Sequence, residues 1–437
     1  MNRRNFLASI AAGAAGMAQS RARLNVIVIL TDDLGYGELG CYGHRFNSTP
    51  HLDRLAGEGV RFTQAYAAAP VCSPTRASYM TGQYPARLGI NDYLRADDSK
   101  FLSPAIETLP KQLARAGYET ALIGKWHLMG DYATRKGDPK LHGFKQVICS
   151  ESSYIGPGYY FPPYEHMKEI PPRTPGEYLP DRMNQEAVEF IERAAGKPFY
   201  LTLNHYAPHT KLAGKPGVVA KYKAKAGAGK KINNPELAAM LESIDDGVGM
   251  ILAALDRLRL SGNTLVMFTS DNGGETTVTT NGALHGGKSQ LYEGGIRVPL
   301  IVKAPGMNRP GRVCDAAVSS IDFYPALLDA VGVRAARGHR VDGVSFMPCV
   351  MKEGAQPAPR ALFWYYPLDK PHFLGGRSAA AIRRADWKLI QFLDDGAVEL
   401  YNLKDDEAET RNLAGSMAGK AAELRRELEQ WRAAVGG

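Results

Sequence analysis

Two short apolar runs, far apart in the chain, end in the same way. Asn25-Val26-Ile27-Val28-Ile29-Leu30 stops at Thr31-Asp32-Asp33, and Thr264-Leu265-Val266-Met267-Phe268 stops at Ser270-Asp271-Asn272-Gly273-Gly274. Runs without polar alternation predict strands buried on both faces, the kind found where helices cover both sides of a parallel sheet. Between them the pattern predicts helices over Ala105–Ala116, Asn184–Ala195 and Pro235–Leu258, and strands over Thr120–Ile123 and Phe199–Leu203. Strands alternating with helices imply βαβ units, hence an α/β fold with a large, mostly parallel sheet flanked by helices. In such sheets ligands bind beyond the carboxyl ends of the strands. Both acidic pairs fall at such ends, as do Gly124-Lys125-Trp126-His127 and Asn204-His205-Tyr206-Ala207-Pro208-His209.

A chain of 437 residues, 44% hydrophobic and 22% charged, can bury one large core and a second, smaller one. Val333–Pro359 is rich in Gly, Pro, Ala and Arg and reads as a boundary. Beyond it, short strands over Ala361–Tyr365, Ala379–Arg383, Trp387–Leu393 and Val398–Tyr401 precede a helix near Lys420–Val435. The expected division is a catalytic domain over 21–340 and a small antiparallel sheet-plus-helix domain over 341–437. Lys211–Lys231, dense in Lys, Gly and Ala, reads as a solvated loop. Residues 1–20 pair Arg3-Arg4 and Phe6-Leu7 with an Ala/Gly-rich stretch, the pattern of a twin-arginine export signal. Export would place the protein in the periplasm or outside the cell. No later apolar run is long enough to span a bilayer. A net charge of +8 suits anionic substrates. No zinc-finger spacing or RNA-binding aromatic motif points to nucleic acid.

Asp32 and Asp33 repel each other unless a cation or several donors offset them. With Asp271 and Asn272 they form an all-oxygen donor set, which suits Ca²⁺ or Mg²⁺ rather than zinc. One pair alone would serve equally as a helix cap or turn. Two such pairs, each ending a buried strand, favour a metal. The five cysteines, Cys41, Cys72, Cys149, Cys314 and Cys349, have no metal-ligand spacing. His205 lies four residues before His209, but Pro208 opposes a shared helical face, so His205 reads as structural.

The segment Val71-Cys72-Ser73-Pro74-Thr75-Arg76-Ala77-Ser78-Tyr79-Met80-Thr81-Gly82 strongly resembles the signature of the formylglycine-dependent, type I sulfatases. Gly124-Lys125-Trp126-His127, Ala207-Pro208-His209-Thr210 and the run from Lys288 to Pro299 match further motifs of that family. So do Thr49–Ala56, Asp386–Ile390 and Glu399–Leu403, so the resemblance covers nearly the whole chain after the signal. Thr75 and Gln83 depart from the commoner residues of the pattern. The resemblance implies an alkaline-phosphatase-like fold and oxidation of Cys72 to formylglycine by the formylglycine-generating enzyme. It implies one divalent metal, usually calcium, held by Asp32, Asp33, Asp271, Asn272 and the modified Cys72. It also implies catalytic roles for six residues. Hydrated residue 72 attacks sulfur, while Arg76 holds the hydrate. Lys125, Lys288 and Arg76 stabilise charge on the sulfuryl oxygens. His209 or Lys288 protonates the leaving oxygen, and His127 acts as the base that re-forms the aldehyde. The implied reaction is hydrolysis of an aryl or carbohydrate sulfate ester, with a sulfated small molecule or glycan as substrate. The alternatives are a phosphonate or phosphodiester hydrolase of the same fold and a non-catalytic metal-binding homologue. Substrate specificity is expected from the loops Asn91–Lys100, Ser150–Arg173, Thr276–Ala283 and Tyr365–Arg377.

Overall fold

The structure, a computed structural model, describes residues 23–95, 98–153, 160–167, 170–229 and 231–436. The export signal expected over 1–20 lies outside these residues. Thirteen strands are present among them. They are β1 (Asn25–Thr31), β2 (Val60–Tyr66), β3 (Glu119–Gly124), β4 (Gln146–Ile148), β5 (Phe199–Asn204), β6 (Thr264–Ser270) and β7 (Arg297–Lys303). The rest are β8 (Arg312–Cys314), β9 (Val318–Ser319), β10 (Ala361–Tyr366), β11 (Ala379–Arg384), β12 (Trp387–Phe392) and β13 (Val398–Asn402).

The first nine form one sheet in the order β4-β3-β5-β1-β6-β7-β2-β8, with β9 also on β2. Pairing is parallel except where β7 runs against β6 and β2. Every residue of β1 is buried, as the unbroken apolar run requires. Val26 and Val28 face one core with Leu265 and Met267, beneath Ala77, Met80, Leu109 and Leu113. Ile27 and Ile29 face the opposite core with Val266 and Phe268, beneath the helices Leu179–Ala194 and Pro235–Arg257. Helices therefore cover both faces.

Register sets the site. Thr31 pairs with Ser270, so Asp32 and Asp271 emerge side by side. Gly124 pairs with Asn204, which brings Lys125 to the same edge. Gly124 has φ +98°, and a Cβ there would lie 2.1 Å from the Asn204 carbonyl oxygen, so only glycine permits this approach.

The last four strands form an antiparallel sheet, β10-β11-β12-β13. One face packs Ile382, Leu389 and Leu400 against Leu424 and Leu428 of the helix Ala418–Val435. The other packs Leu362, Trp364 and Ile390 against Tyr66, Val71, Leu291 and Ile296. The small sheet thus rests on the segments that lead into Cys72 and follow Lys288.

Three expectations need adjustment. The helix expected over Ala105–Ala116 is confined to Leu109–Arg115, because Pro110 occupies its first turn and Thr108 is extended. The helix expected over Asn184–Ala195 begins earlier, at Leu179, with Pro180 in its first turn. The lysine-rich segment expected as a loop contains the helix Pro216–Lys223. Its Val219 and Tyr222 are buried with Phe46, Ala238 and Ala239, which is apolar patterning hidden among lysines. No helix among the described residues is long and apolar enough to cross a membrane.

Candidate active site

Cys72 is the first residue of the helix Cys72–Thr81, all ten residues of which are buried. The helix N-terminus directs unsatisfied N–H groups and a positive dipole end toward the sheet edge, which favours anionic groups there. Ligand atoms of Asp32, Asp33, Cys72 and Asp271 all lie within 4.8 Å of one another. The Cys72 thiol donates to Asp32 Oδ1 at 3.2 Å. Burial first, then the Asp271 and Asp32 carboxylates, push this thiol well above its ordinary range. The encoded cysteine is therefore a neutral thiol rather than an activated thiolate.

Three cations bind the carboxylates. Lys125 Nζ donates to Asp32 Oδ2 at 2.6 Å, and Lys288 Nζ to Asp33 Oδ2 at 2.7 Å. Arg76 Nη2 donates to Asp271 Oδ2 at 2.8 Å, and its Nη1 to the Lys125 carbonyl at 3.0 Å. Burial opposes ionisation of Asp32, but Lys125, His209 and Arg76 outweigh it and hold its carboxyl well below the usual range. Asp271, buried and facing Asp32, is pushed up to about 7. Three packed carboxylates thus still repel one another despite the basic side chains, an environment that favours a further cation.

Asn272 tests whether these residues fit a metal. Its Nδ2 donates to Asp33 Oδ1 at 2.8 Å, which turns the amide so that Oδ1 is buried without a hydrogen-bond partner. An orphaned carbonyl-type oxygen beside three carboxylates is the donor that a hard cation requires. The residues fit the group.

The remaining expected residues converge on one small cavity of about 150 Å³, whose lining includes Cys72, Lys125, His127, His209 and Lys288. Arg76 does not line it. It is 1% exposed and clamps Asp271 and the Lys125 carbonyl instead. His127 Nε2 faces the Leu94 carbonyl at 3.0 Å, so it carries the proton and donates. Nδ1 keeps a buried lone pair with no partner. Burial, then Lys125 and Arg76, hold the His127 imidazole well below its ordinary range, hence neutral. On the other wall, His209 Nδ1 donates to the Thr210 carbonyl at 2.6 Å, and Nε2 accepts from Lys288 Nζ at 3.0 Å. Lys288 therefore bridges Asp33 and His209. Non-glycine residues with left-handed backbone cluster here: Asp33 (φ 63°), His127 (φ 55°) and Ser289 (φ 74°). Such strain gathers where function dictates side-chain direction.

Sequence reasoning missed several participants. Glu151 accepts from the Trp126 and His127 amides at 3.0 and 2.5 Å and so holds the strained His127 backbone. Tyr93, Thr210, Glu275, His372 and Phe373 complete the cavity wall. Tyr93, His372 and Phe373 fall in loops flagged for specificity, whereas Glu275 lies one residue outside one. His205 is fully buried with neither ring nitrogen hydrogen-bonded, and it contributes nothing to the cluster.

Comparison with known proteins gives a consistent picture. The Sulfatase family profile matches residues 24–333, and the profile for N-sulphoglucosamine sulphohydrolase, C-terminal, matches residues 285–434. Arylsulfatase A of Homo sapiens is 32% identical over 465 residues, covering 95% of this chain and 88% of that protein. Steryl-sulfatase of Mus musculus is 32% identical over 431 residues, covering 78% of this chain and 67% of its own length. Among solved structures, Ps i-CgsB superposes with a TM-score of 0.82 at 30% identity, covering 94% of this chain and 92% of that one. A structure of Ps i-CgsB in complex with k-i-k-neocarrahexaose matches equally well.

Proposed function

The chain belongs to the sulfatase family and is a sulfuric ester hydrolase of alkaline-phosphatase-like fold, and from that premise we propose that it works through a formylglycine at position 72 and one divalent cation. The observation that carries this reading is the cluster of Asp32, Asp33, Asp271 and Cys72, with the orphaned Asn272 oxygen beside it. The all-oxygen donor set favours Ca²⁺, with Mg²⁺ the alternative. When bound, the cation would neutralise charge on the sulfuryl oxygens, and the hydrated formylglycine would supply the oxygen nucleophile for sulfur.

The chain's own residues divide the remaining work. Lys125 places a fixed positive charge where the sulfuryl group gains negative charge, and Lys288 adds a second until it gives up its proton. Lys288 and His209, hydrogen-bonded to each other, deliver a proton to the departing alcohol oxygen. Lys288 is the proton source in this pair, because His209 Nε2 accepts from it. His127 Nδ1, neutral and unpartnered, takes a proton from residue 72 as sulfate leaves. Arg76 acts through Asp271 and Lys125, fixing both rather than touching substrate.

Other parts of this reading follow from the sequence. Cys72 is 2% exposed on a buried helix, so the formylglycine-generating enzyme acts before this helix packs. Residues 21–340 form the catalytic domain and 341–437 the smaller one. The twin-arginine signal over 1–20 exports the protein to the periplasm or beyond. A carbohydrate sulfate is favoured over a simple aryl sulfate, in keeping with the oligosaccharide bound by Ps i-CgsB.

The deciding experiment is the mass of the tryptic peptide Phe62–Arg76 from protein made in its native host. Replacement of H₂S by oxygen at Cys72 is the expected result. An intact thiol in protein that turns over a sulfate ester would overturn the formylglycine reading.

A further inference from the structure

The cavity has a second half that the chemistry above leaves unused. At about 150 Å³ it lies below the roughly 300 Å³ at which small-molecule pockets usually begin. It therefore takes the sulfate and the carbon bearing it, and the rest of the alcohol rests on the rim. Two features define that rim.

The first is Glu275. It is 8% exposed and lines the cavity beside Thr210, next to the His209–Lys288 pair that serves the leaving oxygen. Its Oε2 accepts from the Thr210 hydroxyl at 2.7 Å, and its Oε1 accepts from the Thr277 hydroxyl. A carboxylate has about four acceptor positions and no donor. Each Glu275 oxygen thus keeps acceptor capacity beyond the one threonine hydroxyl it serves, in a side chain that lines the cavity. It welcomes a hydroxyl or amide proton and repels a second sulfate or a carboxylate.

The second is Phe373. A single exposed aromatic is ordinary on a protein surface, but this one is 81% exposed and lines the cavity mouth. It is also propped in place. His372 stacks beneath it, ring centroids 4.3 Å apart, and Tyr93 meets His372 edge-on at 5.8 Å. The supporting loop lies so close to the Lys288 segment that a Cβ on Gly376 would sit 2.0 Å from the Ser289 carbonyl oxygen. Arg95, which lies over the Tyr93 ring at 4.3 Å, is already bridged to Asp92 at 2.8 Å. The small sheet thus supplies a fixed aromatic platform, suited to the C–H face of a saturated ring.

We propose that Glu275 and Phe373 form a leaving-group subsite that selects a monosulfated neutral sugar unit bearing a free hydroxyl or acetamido N–H beside the sulfated carbon, and that rejects units carrying a second anion. The inference rests on the sulfatase reading above. Glu275 is the discriminating group, and Phe373 supplies ring affinity.

The test uses the matured enzyme with Ca²⁺. Its substrates are galactose and N-acetylgalactosamine monosulfates of each position, their disulfated counterparts, and 4-nitrophenyl sulfate as reference. The expected kcat/KM for the best monosulfate exceeds that of its disulfated counterpart by about tenfold or more. Glu275→Gln, which keeps shape and loses charge, is expected to shrink that ratio about tenfold. Phe373→Ala is expected to raise KM for the sugar about tenfold, with the larger part of the loss in KM rather than kcat. Calorimetric binding of the same sugars to Cys72→Ala, which needs no turnover, should rank them in the same order. Disulfated units that react or bind as well as monosulfates, or a ratio unmoved by Glu275→Gln, would overturn the subsite while 4-nitrophenyl sulfate turnover leaves the sulfatase reading standing. Failure to hydrolyse any of these esters, the reference included, would bring down both.

Discussion

Two buried clusters of acidic and basic side chains stand in this molecule, built from the same ingredients and put to different uses. One lies at the carboxyl edge of the large sheet, where Asp32, Asp33 and Asp271 meet Lys125, Lys288 and Arg76. The other lies between the two sheets. There Lys388 Nζ sits 2.9 Å from Glu293 Oε1 and 2.8 Å from Glu409 Oε1, all three residues being fully or nearly fully buried. Tyr66 donates to the other Glu293 oxygen at 2.8 Å, and the Glu293 amide donates to Glu409. In each cluster one carboxyl is pushed up to about 7 by burial, Asp271 in the first and Glu409 in the second. What separates them is whether the open atoms are already matched by charge. The first leaves Asn272 Oδ1 and His127 Nδ1 without a hydrogen-bond partner, and its Cys72 and Lys125 open onto a cavity. In the second, Glu409 Oε1 also lacks a hydrogen bond, but it is ion-paired with Lys388 at 2.8 Å. The second ties β12 and the chain near Glu409 to the segment following Lys288 and works as a staple. Buried charge alone therefore does not mark a site; unsatisfied donors or acceptors beside a cavity do.

The sharpest way to break this contrast is to remove the group at the centre of the first cluster. Cys72→Ala should lower turnover of sulfate esters about 10⁴-fold or more, with the thermal unfolding midpoint nearly unchanged. A variant that kept activity would show that residue 72 is not the nucleophile. Next, each cluster can lose one cation. Lys388→Met strands two buried carboxylates and should cost about 3–5 kcal/mol in urea unfolding. Lys125→Met should instead lower kcat by about 10²–10³-fold, with a smaller stability loss when Ca²⁺ is present to neutralise Asp32. Equal stability losses with Ca²⁺ bound would erase the distinction between site and staple.

A smaller effect concerns the cation itself. Ca²⁺ at a hundred times its dissociation constant should stabilise the fold by about 2.7 kcal/mol. Chelation should abolish activity and that gain together. Asn272→Ala should blunt the gain while Glu409→Gln preserves it, and calorimetric melts with and without Ca²⁺ read both. The smallest expected effect is a pH dependence. Burial raises the Glu409 carboxyl, Lys388 opposes that, and Glu293 adds to it, giving about 7 in the folded protein against about 4.3 in an unfolded chain. The folded state thus holds this proton more tightly. The stability contributed is full below about pH 4.3 and is lost as the pH rises through 7. Glu409→Gln does not titrate, so its stability relative to the parent should rise by about 1–3 kcal/mol between pH 5 and 8. A difference that stays flat across that range would place the Glu409 carboxyl in its ordinary range.

Much of this was legible before folding. Asn25–Leu30 and Thr264–Phe268 read as doubly buried strands because no polar residue interrupts them, and both are fully buried. The small sheet and final helix fell within a residue or two of expectation. Strand β2 escaped notice because Val60–Tyr66 mixes buried and half-buried positions, with Arg61 and Gln64 among them. The helix Pro216–Lys223 was hidden by its lysines. Arg76 was expected at the reacting group, yet it is turned toward Asp271, since sequence gives a side chain's position along a helix and not its partner.

The sequence by itself determined the layered α/β architecture and the acidic strand ends, and its resemblance to the sulfatases singled out Cys72. These depend on local periodicity and on residue type at fixed spacing. Only the tertiary structure decided which nitrogen of His127 is left free, that Lys288 Nζ donates to His209 Nε2, and that Glu275 and Phe373 share a cavity with Cys72. Those facts arise from contacts between residues tens to hundreds of positions apart. Their hydrogen bonds and burial are fixed by strand register and by the docking of one sheet on another, and no local pattern encodes either.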